Sequence, residues 1–168
     1  GIAKYLIAAL RAWLGHLPGG LAVVTIAACA IFAAISGSSP ATAAAIGAIM
    51  LPAMLEGGYE KRYAMGLIAA SGTLGILIPP SVTMVIYGVV SEESIGKLFM
   101  GGLLPGIFLA GMLIVSAIIY AKRKGYGRGQ PATWGERWRC TLKALPGAFL
   151  PFFILGAIYL GVVTPTEA

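Results

Sequence analysis

The polar segment Ser36-Gly37-Ser38-Ser39-Pro40 interrupts a charge-free apolar stretch that covers residues 17–55. The apolar arms on its two sides, residues 21–35 and 41–55, each have 15 residues. A helix of that length measures about 22 Å, whereas the hydrocarbon core of a bilayer is about 30 Å thick. We therefore predict that residues 17–55 form a re-entrant helical hairpin. Two tilted spans in a thinned bilayer are the alternative.

A second break lies within residues 63–91, which are also free of charge. The middle of this stretch contains Gly75 and the adjacent prolines Pro79 and Pro80. Adjacent prolines remove two backbone N–H donors and prevent a continuous helix. The stretch is predicted to be one discontinuous transmembrane helix, in which an unwound link over residues 75–80 joins two half-helices.

The composition is that of an all-α membrane protein. The 168 residues are 58% hydrophobic and 11% charged, with a mean hydropathy of +0.89, whereas a soluble domain has about a quarter charged residues. Outside the two interrupted stretches we predict an amphipathic surface helix over residues 1–16 and a scaffold span over 98–121. A basic loop with an arm helix is predicted over residues 122–143, and a last span over 145–163.

The basic residues predict the orientation in the membrane. If residues 17–55 form a hairpin, eleven of the 12 lysines and arginines share one side, namely Lys4, Arg11, Lys61, Arg62, Lys122, Arg123, Lys124, Arg128, Arg137, Arg139 and Lys143. Only Lys97 lies opposite. The positive-inside rule makes the basic side cytoplasmic, and two full spans in place of the hairpin give the same result. The net charge of +6 is thus an orientation signal, and no nucleic-acid partner is expected.

The two breaks carry the chemistry that the sequence predicts. Irregular backbone survives at membrane depth only where it is buried in protein or lines a wet cavity. Hydroxyl and carbonyl oxygens suit a hard cation, while half-helix N-termini at Ala41 and Ser81 offer N–H groups to an anion. Together they indicate a cation-coupled transporter of anionic substrates. Close helix packing by small residues is the alternative role of these serines and glycines.

Enzymatic chemistry is not expected. Cys29, Cys140 and the single histidine His16 are too far apart in sequence for a metal-binding motif. The serines of the first break have no neighbouring base, which argues against an intramembrane protease. No aspartate, lysine or arginine occurs within the predicted spans, so a proton relay of buried carboxylates has no support.

Several sequence motifs occur around these breaks in a fixed order: Leu17-Pro18-Gly19-Gly20-Leu21, Ile35-Ser36-Gly37-Ser38-Ser39-Pro40-Ala41-Thr42, Gly57-Gly58-Tyr59, Gly72-Thr73-Leu74-Gly75-Ile76-Leu77-Ile78-Pro79-Pro80-Ser81, Tyr87-Gly88 and Thr164-Pro165-Thr166-Glu167-Ala168. In these motifs the chain resembles the large membrane subunit of tripartite ATP-independent periplasmic (TRAP) transporters, of the dicarboxylate/sialic-acid type. We expect an internal fragment that covers roughly the first of two inverted repeats.

The resemblance implies an elevator-type, sodium-driven importer of organic acids, such as C4-dicarboxylates or sialic acid, in the bacterial inner membrane. It implies two protein partners, a small membrane subunit and a periplasmic substrate-binding protein. It also implies that the hairpin and the broken helix move together against residues 98–121. An ion channel, which broken helices also build, and a structural membrane subunit are the competing functions.

The resemblance also implies the site residues. In the family, the first hairpin tip and the following broken helix hold one sodium ion. Carried over to this chain, the sodium site consists of Ser36 with backbone atoms of Ala33, Gly75, Ile78 and Pro80. Ala33 stands where some relatives have a serine, so only its carbonyl can contribute. Three further residues are candidates for lining the substrate cavity: Ser38, Ser39 and Thr42.

Overall fold

The computed structural model describes residues 2–127 and 129–162. Its eight helices are α1 (Ile2–Leu14), α2 (Gly20–Ser36), α3 (Ser39–Glu56), α4 (Lys61–Gly72), α5 (Leu74–Leu77), α6 (Val82–Ser91), α7 (Ile95–Lys124) and α8 (Trp134–Tyr159). The described residues contain no β-strand, which confirms the predicted all-α class. The motif at residues 164–168 and the predicted position of Arg128 lie outside the described residues.

Three helices, α3, α7 and α8, are long and apolar enough to cross a membrane. The bent pair Lys61–Leu77 and Val82–Ser91 is a fourth candidate if it counts as one span. Large apolar side chains such as Val90, Leu104 and Phe152 point outward on these helices. Such a surface suits lipid or further parts of a membrane assembly rather than water.

Helix α2 lies at the centre of the molecule. It contacts α1, α3, α4, α5, α7 and α8, and Val24, Ile26 and Cys29 on it are fully buried. A helix that is apolar on all sides is expected to be buried in this way. Met50 and Met54 of α3 pack into the two apolar clusters around it.

The first break is a tight turn between α2 and α3. Gly37 has a left-handed backbone (φ +60°), and its N–H donates to the carbonyl of Ala33 at 2.8 Å. This conformation at a helix C-terminus favours glycine. Helix α3 then starts at Ser39 with Pro40 in its first turn, where a missing N–H costs nothing. Residues 20–56 are therefore a helical hairpin with Gly37 and Ser38 at its tip.

The second break is present, but it is shorter than predicted. The link between α5 and α6 consists of residues 78–81, and Thr73 is a single turn residue between α4 and α5. The two parts of the span meet at 41°. Gly75 is helical and belongs to α5. The physical reason is that the residue before a proline is driven to extended backbone, as Ile78 is (φ −83°, ψ 118°), whereas a glycine alone does not end a helix.

The last part of the chain differs from the predicted division. Helix α8 is continuous from Trp134 to Tyr159, so the arm helix predicted within residues 122–143 and the described part of the span predicted over 145–163 form one element. A capping box formed by Thr133 and Glu136 starts the helix. Pro146 lies inside α8. A proline is tolerated in a membrane helix where neighbouring groups bond the backbone groups that it frees.

Glycines bring α7 close to the broken span. A Cβ atom on Gly102 would lie 2.8 Å from the carbonyl oxygen of Leu77, and one on Gly106 would lie 2.9 Å from Cγ1 of Ile78. By contrast, a Cβ on Gly101 or Gly111 meets no described atom within 4 Å. Packing therefore explains Gly102 and Gly106, which lie on the face of α7 that contacts α5.

The open end of the hairpin lies beside the basic end of α7. Lys124 Nζ is 3.2 Å from Glu60 Oε1, and the ring of Tyr59 stacks on that of Tyr126 with centroids 4.2 Å apart. Burial raises the pKa of the Tyr59 hydroxyl above its ordinary value. The loop between α3 and α4 and the end of α7 thus share one end of the molecule.

Candidate functional site

The two breaks meet through their backbones. Val82 N–H donates to the carbonyl of Gly37 at 3.0 Å, and a Cβ on Gly37 would lie 2.9 Å from the carbonyl oxygen of Pro80. A Cβ on Gly75 would lie 2.8 Å from the carbonyl carbon and oxygen of Ser38. Because ordinary Cβ contacts are longer, both positions require glycine for this close approach.

A cluster of hydroxyl groups closes the hairpin tip. Ser36 Oγ lies 2.8 Å from Thr42 Oγ1, and Thr42 Oγ1 donates to the carbonyl of Ser38 at 2.8 Å. Since a hydroxyl has one proton, Ser36 donates to Thr42 when Thr42 donates to Ser38. The lone pairs of Ser36 Oγ then meet only a long 3.4 Å contact from the N–H of Ser38. They remain able to face a cation.

The structure brings five of the eight predicted site residues into this contact region: Ser36, Ser38, Thr42, Gly75 and Pro80. Ser39 is the first residue of α3 and adjoins the same region through its backbone nitrogen. Ala33 lies one turn below and accepts the N–H of Gly37. Ile78 packs against Gly106 of α7.

The hydroxyl of Ser81 is a further candidate ligand, since the sequence indicated only the helix N-terminus at this residue. Ser81 is 1% exposed, precedes α6, and its hydroxyl has no hydrogen-bond partner among the described residues. A serine directly before an apolar half-helix is typical of an N-cap. This pattern favours a capping role and gives no sign of a free hydroxyl. The side chain of Ser81 makes no capping bond, so the hydroxyl is available to a ligand.

A cavity of about 360 Å³ lies between the hairpin tip, α6 and α8. Its polar side is formed by Ser36, Gly37, Pro80 and Ser81. The apolar side contains Ile35, Val82, Val85, Ile86, Ile154 and Ile158. A volume of this size suits a small organic molecule.

An anion in the cavity would meet dipoles rather than charged side chains. None of the described residues that line it carries a charge. Helix α6 begins at Val82 on the cavity wall, whereas α3 begins at Ser39, outside the described lining. Helix N-termini favour negative groups.

The donor set beside the cavity consists of neutral oxygens. In the part of the chain that the structure describes, no three His, Cys, Asp or Glu side chains group to hold a metal ion. Serine hydroxyls and backbone carbonyls are ligands for hard cations. The residues present therefore fit a sodium ion better than a transition metal.

Comparison with known proteins identifies the family. A model of the family described as "Tripartite ATP-independent periplasmic transporter, DctM component" matches residues 1–168, which is the whole chain. The chain belongs to the DctM family. This confirms the resemblance that the motifs around the two breaks indicated. Because DctM proteins are transporter permeases, the family also agrees with the expectation that the chain is not an enzyme.

Three curated relatives illustrate the similarity of this DctM chain. It is 44% identical to the C4-dicarboxylate TRAP transporter large permease protein DctM of Rhodobacter capsulatus, with 100% of the chain covered. It is 42% identical to the isethionate TRAP transporter permease protein DctMQ of Oleidesulfovibrio alaskensis, again over 100% of the chain. With the ectoine TRAP transporter large permease protein TeaC of Halomonas elongata it shares 43% identity over 99% of the chain.

The DctM chain spans only part of each relative's length. It covers 41% of the Rhodobacter protein, 27% of the Oleidesulfovibrio protein and 39% of the Halomonas protein. The hairpin tip, the broken span and the cavity between them all lie within the shared part.

Proposed function

We propose that this chain is part of the permease subunit of a sodium-coupled secondary transporter that imports small organic acids. The main support for this proposal is the backbone contact between the hairpin tip and the broken span, with neutral oxygens and a cavity beside it. The family supports two partners, a small membrane subunit and a periplasmic protein that delivers the substrate. We also propose the bacterial inner membrane as the location.

Sodium is the proposed co-substrate at the tip. The hydroxyl of Ser36 is its side-chain ligand, because Thr42 holds that oxygen in place. Backbone carbonyls of Ala33, Gly75, Ile78 and Pro80 complete the proposed donor set. A bound sodium ion supplies a positive charge beside the cavity, and sodium binding and anion binding would then strengthen one another.

The proposed substrates are small acids. The relatives' names include C4-dicarboxylate, isethionate and ectoine, and each of these compounds has a carboxylate or sulfonate group. An uncharged cavity wall that includes the N-terminus of α6 suits such groups. Ser81 lines the cavity and is the proposed residue of its acid-binding side. Ser38 and Ser39 do not belong to the described lining, and their proposed substrate role rests on the family resemblance. The hydroxyl of Thr42 is committed to Ser36 and Ser38, so Thr42 positions the tip.

We propose that the hairpin is re-entrant, with its open end cytoplasmic. Helix α7 has 30 residues, or about 45 Å, whereas α3 has 18, or about 27 Å. Since the hairpin base lies beside Lys124 at one end of α7, the tip reaches only part of the way along that helix. The ten residues of α6 cover the remaining depth. This arrangement supports a tip within the membrane, and the basic residues near the base support its orientation.

An elevator movement is the proposed transport mechanism. The hairpin and the broken helix form its moving group, as the resemblance implies. The packing favours including α7 in that group, which departs from the expectation that residues 98–121 stay fixed, because Gly102 and Gly106 bring α7 into close contact with Leu77 and Ile78. Close packing of this kind resists sliding. Helix α8 packs mainly along α1, and its main contact with the hairpin is through α2, so we propose a sliding boundary between α8 and the hairpin.

Uptake by the complete transporter in proteoliposomes tests the function. We expect saturable accumulation of an organic acid that requires the binding protein and an inward sodium gradient. Conductance that is independent of the binding protein would indicate a channel. A requirement for this chain in assembly, with transport unchanged when sodium is replaced by choline, would indicate a structural role. Several acids should be compared, beginning with C4-dicarboxylates.

A further inference from the structure

All three tryptophans of the chain lie on α1 and α8, two helices that pack along one another. The rings of Trp13 and Trp134 meet edge to face at 87° with centroids 6.0 Å apart. The indole N–H of Trp13 donates to Thr141 Oγ1 at 2.9 Å. Trp138 follows one turn after Trp134, and these two side chains are 58% and 67% exposed. Large apolar rings thus remain open at a site that already has a defined geometry.

Arg137 lies between the aromatic rings. Its guanidinium carbon is 5.4 Å from the ring centroid of Trp13 and 5.8 Å from that of Trp134. Both distances allow cation–π attraction, which holds the charged group in one place. We call the group of Trp13, Trp134, Arg137 and Trp138 the tryptophan crossing.

The two helices that form the crossing are basic. Helices α1 and α8 carry a single acidic residue, Glu136, whose carboxylate accepts the N–H of Thr133 at 3.1 Å in the helix cap. Their basic residues are Lys4, Arg11, Arg137, Arg139 and Lys143. The surface around the crossing is therefore complementary to an anionic partner.

The crossing lies where the chain enters its apolar part. Helix α8 carries no charged residue after Lys143. Helix α7 ends nearby in sequence on three consecutive basic residues, Lys122, Arg123 and Lys124. Tryptophan is enriched at the boundary between lipid and water, where the basic residues of a cytoplasmic face also lie.

We propose that the tryptophan crossing binds the headgroups of anionic phospholipids. The indole rings lie at headgroup depth, and the guanidinium of Arg137 faces a lipid phosphate between them. Charge complementarity favours the lipid surface over an apolar protein partner. This binding fixes the crossing of α1 and α8 at the membrane surface and does not require a transport cycle.

A fluorophore placed beside the crossing tests the proposal. We would use the complete transporter in nanodiscs, with Cys29→Ala and Cys140→Ser, and attach the probe at Gly135→Cys, where a Cβ meets no described atom within 4 Å. Brominated phosphatidylglycerol and brominated phosphatidylcholine then serve as quenchers at equal mole fractions. We expect stronger quenching by the anionic lipid. Arg137→Gln should lower that preference about fivefold, the order expected for one surface cation.

Arg123→Gln is the matched control, since it removes one positive charge at the end of α7, outside the crossing. It should keep the preference for phosphatidylglycerol. Equal quenching by the two lipids with Arg137 present would overturn the proposal, as would equal losses in the two variants. Absence of quenching by both lipids would show that protein covers the crossing, and this would also overturn it. Quenching by phosphatidylcholine in Arg137→Gln reports that the variant is still inserted.

Discussion

At the residue scale, the candidate site depends on two glycines and on a pair of hydroxyls. Gly37 and Gly75 let the backbones of the tip and the broken span touch. Ser36 and Thr42 then join across the tip at 2.8 Å. Neither pair has a charged partner in this contact. The geometry of neutral oxygens must therefore account for any selectivity among cations.

The role of Gly75 gives the first prediction. In Gly75→Ala the new methyl group would lie 2.8 Å from the backbone of Ser38, and this backbone cannot move as a side-chain end can. We expect the tip and the broken span to separate. The half-saturating sodium concentration for uptake should rise at least tenfold, equivalent to about 1.4 kcal/mol. Uptake by the reconstituted transporter is the measurement.

Gly66→Ala is the control for that variant, because it lies on the same broken span and its Cβ meets no described atom within 4 Å. A glycine-to-alanine change inside a helix stabilises by roughly 0.5–1 kcal/mol where space allows. We expect unchanged sodium dependence. Equal behaviour of the two alanine variants would argue against the contact at Gly75.

At the element scale, the sequence predicted the breaks better than it predicted where each helix ends. The adjacent Pro79 and Pro80 act locally, so their break could be read from the sequence. Local rules missed the helical state of Gly75 and the continuity of α8 through Pro146, because packing against other helices decides both. The open hydroxyl of Ser81 was likewise hidden, since it depends on which groups the fold places nearby.

Helix α7 provides a prediction at this scale, because two neighbouring glycines on it differ in their surroundings. Gly102→Ala would press a methyl group against the carbonyl of Leu77, 2.8 Å away. Overpacking of this kind costs about 1–3 kcal/mol. We therefore expect a lower melting temperature of the detergent-solubilised transporter.

Gly101→Ala is the matched control, since its Cβ has no described atom within 4 Å. Its effect should stay within about 0.5 kcal/mol, as for most substitutions away from packed features. If Gly101→Ala destabilised the transporter as much as Gly102→Ala, the contact between α7 and α5 would not be the cause.

At the scale of the whole molecule, the arrangement combines a packed centre with one more loosely attached helix, α8. Helix α2 contacts most of the other helices, whereas α8 packs mainly along α1. The hairpin base is tied to α7 by Lys124 and Glu60 and by stacked tyrosine rings. These contacts support movement of the hairpin, the broken span and α7 as one group.

The elevator mechanism predicts that the hairpin tip is accessible from one side of the membrane in one state and from the other side in another state. Ala41→Cys, in a background of Cys29→Ala and Cys140→Ser, introduces a thiol at an exposed position beside the tip. Its reaction with membrane-impermeant maleimide should switch sides between sodium-free and substrate-loaded conditions. Gln130→Cys in the basic loop should react only from the cytoplasmic side. A thiol at position 41 that reacts from one side under all conditions would contradict the mechanism.

The most direct test of a sodium site at the hairpin tip is the sodium dependence of uptake by the complete transporter carrying Ser36→Ala. Ser91→Ala is the control, because Ser91 is exposed and its hydroxyl bonds within its own helix to the carbonyl of Tyr87 at 2.6 Å. A sodium site at the hairpin tip predicts that Ser36→Ala raises the half-saturating sodium concentration about tenfold, or about 1.4 kcal/mol, while Ser91→Ala leaves it unchanged. An unchanged half-saturating sodium concentration in Ser36→Ala, with normal assembly, would contradict a sodium site at the hairpin tip.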